Sequence, residues 1–243
     1  MNKTFKWDFD KFLNLIQNNV NFSLTRFGDG EMMIINGTKL DLLKKGPGEF
    51  AYIPNNPKCE ESRKMLDESF KYVDDNYFVG IACRCCVGND KHENMKTSCA
   101  QPDSNLTWAN IIVNSNFDSF NTHMIPSLKT RKLALICHES SNVNHLPFEI
   151  EKNLIFKVKA DAWIHNINLI DRIKKIIDDN HMEDYVFLIS AGPFANILAC
   201  ELHKFNKHNT YLDIGSVLDK HLDLPLTRGY LNGAATLKKI CIW

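Results

Sequence analysis

No stretch of the 243-residue chain stays apolar for the roughly 18 residues that a membrane span requires. The opening "MNKTFKWDFDKFLNLI" sets charges among its apolar positions and so lacks the continuous hydrophobic core of a secretory signal. Surplus charge is missing too: 29 Lys and Arg face 29 Asp and Glu, and the pI is near 7.1. That balance leaves no electrostatic footprint for duplex nucleic acid or an anionic membrane, although a small phosphate needs only a local site. Repeats, low-complexity linkers and charge blocks are likewise absent from the sequence. The expectation is a soluble, cytoplasmic protein with no nucleic-acid partner and no membrane span. In that compartment the sequons at Asn2, Asn36 and Asn105 carry no glycan, and the 8 cysteines stay reduced.

Cysteine spacing excludes the usual structural zinc knuckle, which takes two separated pairs. "CRCC" at 83–86 puts Cys85 and Cys86 side by side, and no second pair follows. Cys99 is the nearest fourth thiol along the chain. The reading is therefore thiols at the end of the strand "YFVGIAC", without zinc.

What is present is an ordinary globular composition, 44% hydrophobic and 24% charged, enough for a well-formed core. "DFDKFLNLIQNN" spaces Phe9, Phe12, Leu13 and Ile16 as a helix with Asp8 as its N-cap. "PKCEESRKMLDESFKYV" is a second helix, with Met65, Leu66, Phe70 and Val73 on one face. "NLTWANIIVNSNFDSF", "NLIDRIKKIIDDN" and "PFANILACELHKF" read as further helices. "FSLTRF", "YFVGIAC", "RKLALICH", "NLIFKVKA", "DYVFLISAG" and "NTYLDIG" read as strands. "GPGEFAYIPNNP" is a loop by composition, and 84–107 is polar and loop-rich, a candidate lid. Alternating strands and helices predict an α/β fold, one mostly parallel sheet flanked by helices.

In such sheets ligands bind beyond the carboxyl ends of the strands, and two strand ends carry chemistry. The first is "FSLTRFGDGEMMIING", residues 22–37, where Asp29 and Glu31 stand one residue apart with glycine between them. Two such carboxylates can converge on a hard cation, Mn²⁺ or Mg²⁺, which also takes phosphate oxygens. Arg26 offers a forked donor to a phosphate or a carboxylate. The alternative is a solvated Asp-Gly hairpin turn. The second is "FLISAGPFANILACEL", where Ser190, Ala191, Gly192 and Pro193 turn a strand into a helix. Glycine permits close approach of a ligand, Pro193 suits the first helical turn, and the helix start attracts anions. A tight turn without a ligand is the alternative there.

Together these stretches resemble the GT-D-type glycosyltransferases, a family first catalogued as a domain of unknown function. Its members carry an Arg-Phe-Gly-Asp-Gly-Glu run as their Asp-x-Glu metal motif. The block "VFLISAGPFANILACELHKFNKHNTYLDIGSVLD" is similar to the family's closing block, and "KVKADAWIHNINLIDRI" to the segment before it. The likeness extends from about residue 10 to 220 and is weakest in the middle. Two departures stand out. Phe194 replaces a threonine after Gly-Pro, and Ser216, Val217 and Leu218 replace His-Ile-Asp after Asp-Ile-Gly. Both bear on the acceptor and the catalytic base more than on the donor.

The resemblance implies a single Rossmann-like, GT-D-like domain over 1–243 and a transfer of a sugar from a nucleotide-sugar donor, a UDP-sugar with UDP-glucose first, to a hydroxyl on a glycan or glycoconjugate. It makes Asp29 and Glu31 metal ligands, with Arg26, Phe27 and Gly28 shaping their turn. Ser190, Ala191, Gly192 and Pro193 fall near the donor nucleotide, with Asp213, Gly215 and Ser216 at the facing strand end. Asp161 falls in the matching segment and contacts donor or acceptor. Further on, "LTRGYL" offers Arg228 and Tyr230, the arginine either clamping a phosphate or pairing with an acid. A base for the acceptor hydroxyl is open among Asp213, Asp219 and His221. A metal-dependent phosphohydrolase and a non-catalytic nucleotide-sugar-binding module are the rival readings.

Overall fold

A computed structural model describes residues 3–45, 49–233 and 240–243; Asn2 and residues 46–48 of the expected loop lie outside them. Nine strands form among the described residues: β1 (Ser23–Phe27), β2 (Leu40–Asp41), β3 (Ala51–Tyr52), β4 (Tyr77–Ile81), β5 (Leu106–Trp108), β6 (Lys132–His138), β7 (Ile155–Val158), β8 (Tyr185–Ile189) and β9 (Thr210–Asp213). Seven make one sheet in the order β5-β4-β1-β9-β8-β6-β7, and every pairing in it is parallel. β2 and β3 form a small antiparallel pair. The strands of the sheet centre are buried on both faces, as the near-continuous apolar runs of β4, β6 and β8 require.

The helices are α1 (Phe5–Gln17), α2 (Asp29–Ile35), α3 (Pro57–Lys71), α4 (Arg84–Val87), α5 (Asn89–Ser98), α6 (Phe117–Ser119), α7 (Ile125–Leu128), α8 (Ala162–His165), α9 (Leu169–Asp179) and α10 (Pro193–Phe205). One core cluster packs Leu66 and Phe70 of α3, Ile173 and Ile177 of α9 and most of α10 against one sheet face. The other packs Phe9, Phe12 and Ile16 of α1 with Ile111, Ile112 and Met124 on the opposite face. α3 starts where Asn56 accepts from the amides of Lys58 and Cys59, with Pro57 in the first turn. None of the helices among the described residues is long and apolar enough to cross a membrane.

Four expectations change. Thr4, not Asp8, caps α1, accepting from Trp7 N at 3.2 Å; Asp8 is buried in the first turn and accepts from Thr107 Oγ1. The segment 105–120 opens as strand β5, because pairing with β4 satisfies its backbone better than a marginal helix would. Residues 84–107 hold α4, α5 and β5, so they are largely regular structure and not a loose lid. Val73 lies beyond α3 and is exposed, leaving Leu66 and Phe70 as its core face.

Candidate active site

β1 and β9 are paired only at Ser23 with Tyr211 and Leu24 with Leu212. Past that point the two central strands separate, and the backbone of Arg26 needs other partners. Asn196 of α10, fully buried, supplies them: its Oδ1 accepts from Arg26 N at 2.8 Å, and its Nδ2 donates to Arg26 O at 3.2 Å. A side-chain amide thus replaces one rung of the sheet and holds the carboxyl ends of β1 and β9 apart. The chain builds one flank of the sheet from β1 outward and the other around β8, so the opening sits where the two halves meet, the position at which α/β sheets bind ligands.

A cavity of about 310 Å³ fills this opening. Much of its wall comes from strand ends: Arg26 and Gly28 after β1, Ala109 and Asn110 after β5, His138 at β6, Ser190 and Gly192 after β8, Asp213 and Gly215 at β9. Asp29, Glu31, Ser216, Asp219 and Arg228 line it too. Most of the residues singled out in the sequence are therefore brought together. Phe27 is not; it is fully buried and packs on Phe70, with ring centroids 4.8 Å apart, so it orients the turn from behind. Asp161, Ala191 and Pro193 line a small adjoining hollow that shares Glu49, Phe50, His138 and Ser190 with the cavity. There Asp161 Oδ1 accepts from Ala51 N at 3.1 Å and from Trp163 Nε1 at 2.7 Å, an anchoring role for the β3 loop. His221 is not among the lining residues.

At the floor, Arg26 bridges the separated strands. Nη2 donates to Asp213 Oδ1 at 3.2 Å and Nη1 to Ala109 O at 3.1 Å, while its buried Nε has no hydrogen-bond partner among the described residues. Asp213 Oδ1 also accepts from Gly215 N at 2.9 Å. Burial raises the Asp213 carboxyl, and the Arg26 charge opposes the rise. Gly215 has φ +50°, and a Cβ there would lie 2.1 Å from Arg26 Nη2. Only glycine fits both the conformation and the guanidinium.

The Asp-x-Glu pair sits at the start of α2. Asp29 is exposed, whereas Glu31 folds back so that its Oε2 accepts from Gly28 N at 2.9 Å, closing the helix start. Loss of water raises the Glu31 carboxyl to about 7, helped by Asp213 and Asp29 and opposed by the amides of Glu31 and Gly28. The pair is thus partly a helix cap, which the hairpin alternative did not include. On the far wall Arg228 Nη2 donates to Glu49 Oε1 at 3.1 Å, and Ser216 Oγ and the Tyr230 hydroxyl share a hydrogen bond of 2.6 Å. Burial lifts Asp219 to about 7, with Arg228 lowering and Glu49 raising it.

Five carboxyl groups (Asp29, Glu31, Glu49, Asp213, Asp219) face two guanidiniums in one cavity. Hard oxygen donors of this kind suit a divalent Mg²⁺ or Mn²⁺, which is commonly held by one or two carboxylates plus substrate phosphates. The oxygens of these acids do not form a ready three-ligand cage: among the described residues, the one group of three or more His, Cys, Asp or Glu with all ligand atoms within 4.8 Å is made of cysteines. The set fits a cation that substrate completes. The sequence reading missed Glu49, Asn110, His138 and Asn196; only the last carried a signal, as an amide in an otherwise apolar helix.

An open parallel sheet with its crevice at the point where strand order reverses defines an α/β fold of the doubly wound kind. No protein-family model matches the chain, and no curated protein matches it either. Two solved structures do, each over 93% of this chain and 81% of its own, with a TM-score of 0.57 and 18% and 17% identity. One is of "the highly conserved domain of unknown function 1792", which "has a distinct glycosyltransferase fold"; the other is a selenomethionine-substituted structure of that domain. The chain has this glycosyltransferase fold, as its two strand-end motifs implied.

Proposed function

We propose that the chain is a metal-dependent glycosyltransferase that moves a sugar from a UDP-sugar, UDP-glucose first, to a hydroxyl of a glycan or glycoconjugate. The observation that carries this reading is the acid-rich cavity at the β1–β9 split of a glycosyltransferase fold. With Arg26 and Arg228 already paired to Asp213 and Glu49, this acid-rich cavity offers a diphosphate little net attraction unless a divalent cation comes with it. Asp29 and Glu31 would hold that cation, which, when bound, neutralises charge developing on the leaving diphosphate.

The remaining roles belong to the chain's own side chains. Arg26, with its unpartnered Nε, and the turn Ser190–Gly192 at the start of α10 face the donor as anion donors. Asp213 is tied down by Arg26 and Gly215, so it positions Arg26. Asp219 is left to take the acceptor proton: it is buried, lines the cavity and is pushed up to about 7, near the value at which a base works best. Arg228 keeps Glu49 occupied and balances Asp219.

The test is Asp29→Asn and Glu31→Gln, assayed for UDP release from UDP-glucose over a Mn²⁺ titration, with melting temperature as control. Each substitution should reduce turnover by on the order of 100-fold or more. Melting should shift little, since Asp29 is exposed and a Gln at 31 still offers the oxygen that caps Gly28 N. Wild-type turnover in both variants would reduce the pair to a helix cap. Release of inorganic phosphate from the nucleotide would point to a phosphohydrolase, and Mn²⁺-dependent binding of UDP without any turnover to a sensor; either would sink the transferase reading.

A further inference from the structure

Outside the cavity, the fold brings a distant cysteine, Cys241, to the three that the sequence clusters at 83–86. β4 ends at Ile81 and delivers Cys83 to the start of α4, whose first turn carries Cys85 and Cys86. The turn is held by Cys86 N and Val87 N, which donate to Cys83 O at 2.9 and 3.1 Å. Cys241 comes in from the other end of the chain, and the four sulfurs all lie within 4.8 Å of one another. Cys99, the nearest fourth thiol along the chain, is buried elsewhere and donates to Lys96 O. No second cysteine pair follows 83–86 along the chain, but Cys241 supplies a fourth thiol across space.

We propose that Cys83, Cys85, Cys86 and Cys241 form a four-thiolate site for a single zinc ion. A tetrahedral zinc with Zn–S of about 2.3 Å sets its sulfurs about 3.8 Å apart. Cys83 and Cys85 place their sulfurs 3.1 Å apart and no pair of the four exceeds 4.8 Å, distances on either side of that edge, so small side-chain rotations complete the tetrahedron. An iron–sulfur cluster spaces its ligand sulfurs more widely than this group does, which selects a mononuclear site. Soft sulfur donors favour zinc over the hard cation of the active site. On binding, each thiol gives its proton to water and its lone pair to the metal.

The surroundings are those of a metal-bound sulfur. Asn114 Nδ2 points at Cys241 Sγ from 3.4 Å, and Asn110 Nδ2 points at Cys86 Sγ from 3.6 Å and at Cys241 Sγ from 3.9 Å. Donors to ligand atoms of this sort hold ligands in place and spread their charge. Trp243, two residues on, packs edge-on against Trp108 at 4.8 Å and His92 at 5.1 Å. The metal would therefore pin residues 241–243 to the ends of β4 and β5. Asn110, which reaches both sulfurs, also lines the active-site cavity, so the staple would brace one of its walls. This site is independent of the proposed transfer reaction.

The test is a Co²⁺ titration of the reduced, chelator-treated full chain, with metal analysis of protein purified from zinc-supplemented cells. One cobalt per chain is expected, with thiolate charge-transfer and intense tetrahedral visible bands that zinc displaces. Asn114→Ala should lower zinc affinity about 10- to 100-fold, and Cys241→Ser by more. Absence of stoichiometric uptake by the wild type overturns the proposal even if the variants fail to fold. So does uptake that Cys241→Ser leaves unchanged, or a disulfide among the four cysteines in protein purified without air.

Discussion

Replacing Gly215 by alanine tests the geometry of the cavity floor without touching the acid pair. The new Cβ would fall 2.1 Å from Arg26 Nη2, far inside contact distance, and the guanidinium is the part free to move. At φ +50° the alanine itself pays about 1–2 kcal/mol for a left-handed backbone. Displacing Arg26 then strands the Asp213 carboxylate, whose side chain is only 7% exposed; breaking a buried pair costs up to about 3–5 kcal/mol. The expected total is at most about 4–7 kcal/mol, and each kcal/mol moves the melting temperature by about 2–4 °C in a domain of this size. The assay is urea unfolding of Gly215→Ala, Arg26→Ala and the double variant. With Arg26 already removed, the alanine should cost only its backbone strain. Equal costs in both backgrounds, within about 0.5 kcal/mol, would refute the claim that Arg26 is what demands a glycine.

Asn196→Ala removes the amide that takes the place of a sheet rung and leaves the buried N–H and C=O of Arg26 unpaired, so urea unfolding should show a loss of about 2–4 kcal/mol; a loss under about 0.5 kcal/mol would mean that β1 and β9 part for another reason. Asp219, raised from 3.8 to about 7, keeps in the folded state a proton that the unfolded chain has already released. Its contribution to stability therefore falls as pH rises from about 4 to 7, by at most about 1.4 kcal/mol per unit, and Asp219→Asn should flatten that slope. Wild-type turnover should rise through pH 7 as Asp219 ionises, and an unchanged pH profile in Asp219→Asn would remove it as the base.

Much of this structure could be read from the chain because its informative signals are local. β4, β6 and β8 are apolar runs closed by turn residues, and α9 sets Leu169, Ile173 and Ile177 on one stripe. Both motifs sit at strand ends, where glycine, a small residue or an acid interrupts the apolar pattern. What escaped depends on contacts between distant segments. β5 is three residues long and owes its extended state to β4. Asp8 has the residue type of a cap, but Thr107 offers a buried partner 99 residues away. Glu49 and Asn110 enter the cavity from loops and His138 from the end of β6, and Cys241 meets Cys83 from a distant part of the chain.

Asn196 lies between these cases. An amide amid Pro193, Phe194, Ala195, Ile197 and Leu198, all buried, cannot remain without partners, because an unpaired buried amide costs on the order of 1–3 kcal/mol. It must therefore meet backbone groups that the sheet has left open, and in a parallel sheet such groups occur where two neighbouring strands diverge. Strands diverge at their carboxyl ends over a crevice. A single polar residue in the apolar helix after "SAGP" thus indicates where the sheet opens, and the opening between β1 and β9 is where Asp29, Glu31, Asp213 and Asp219 gather.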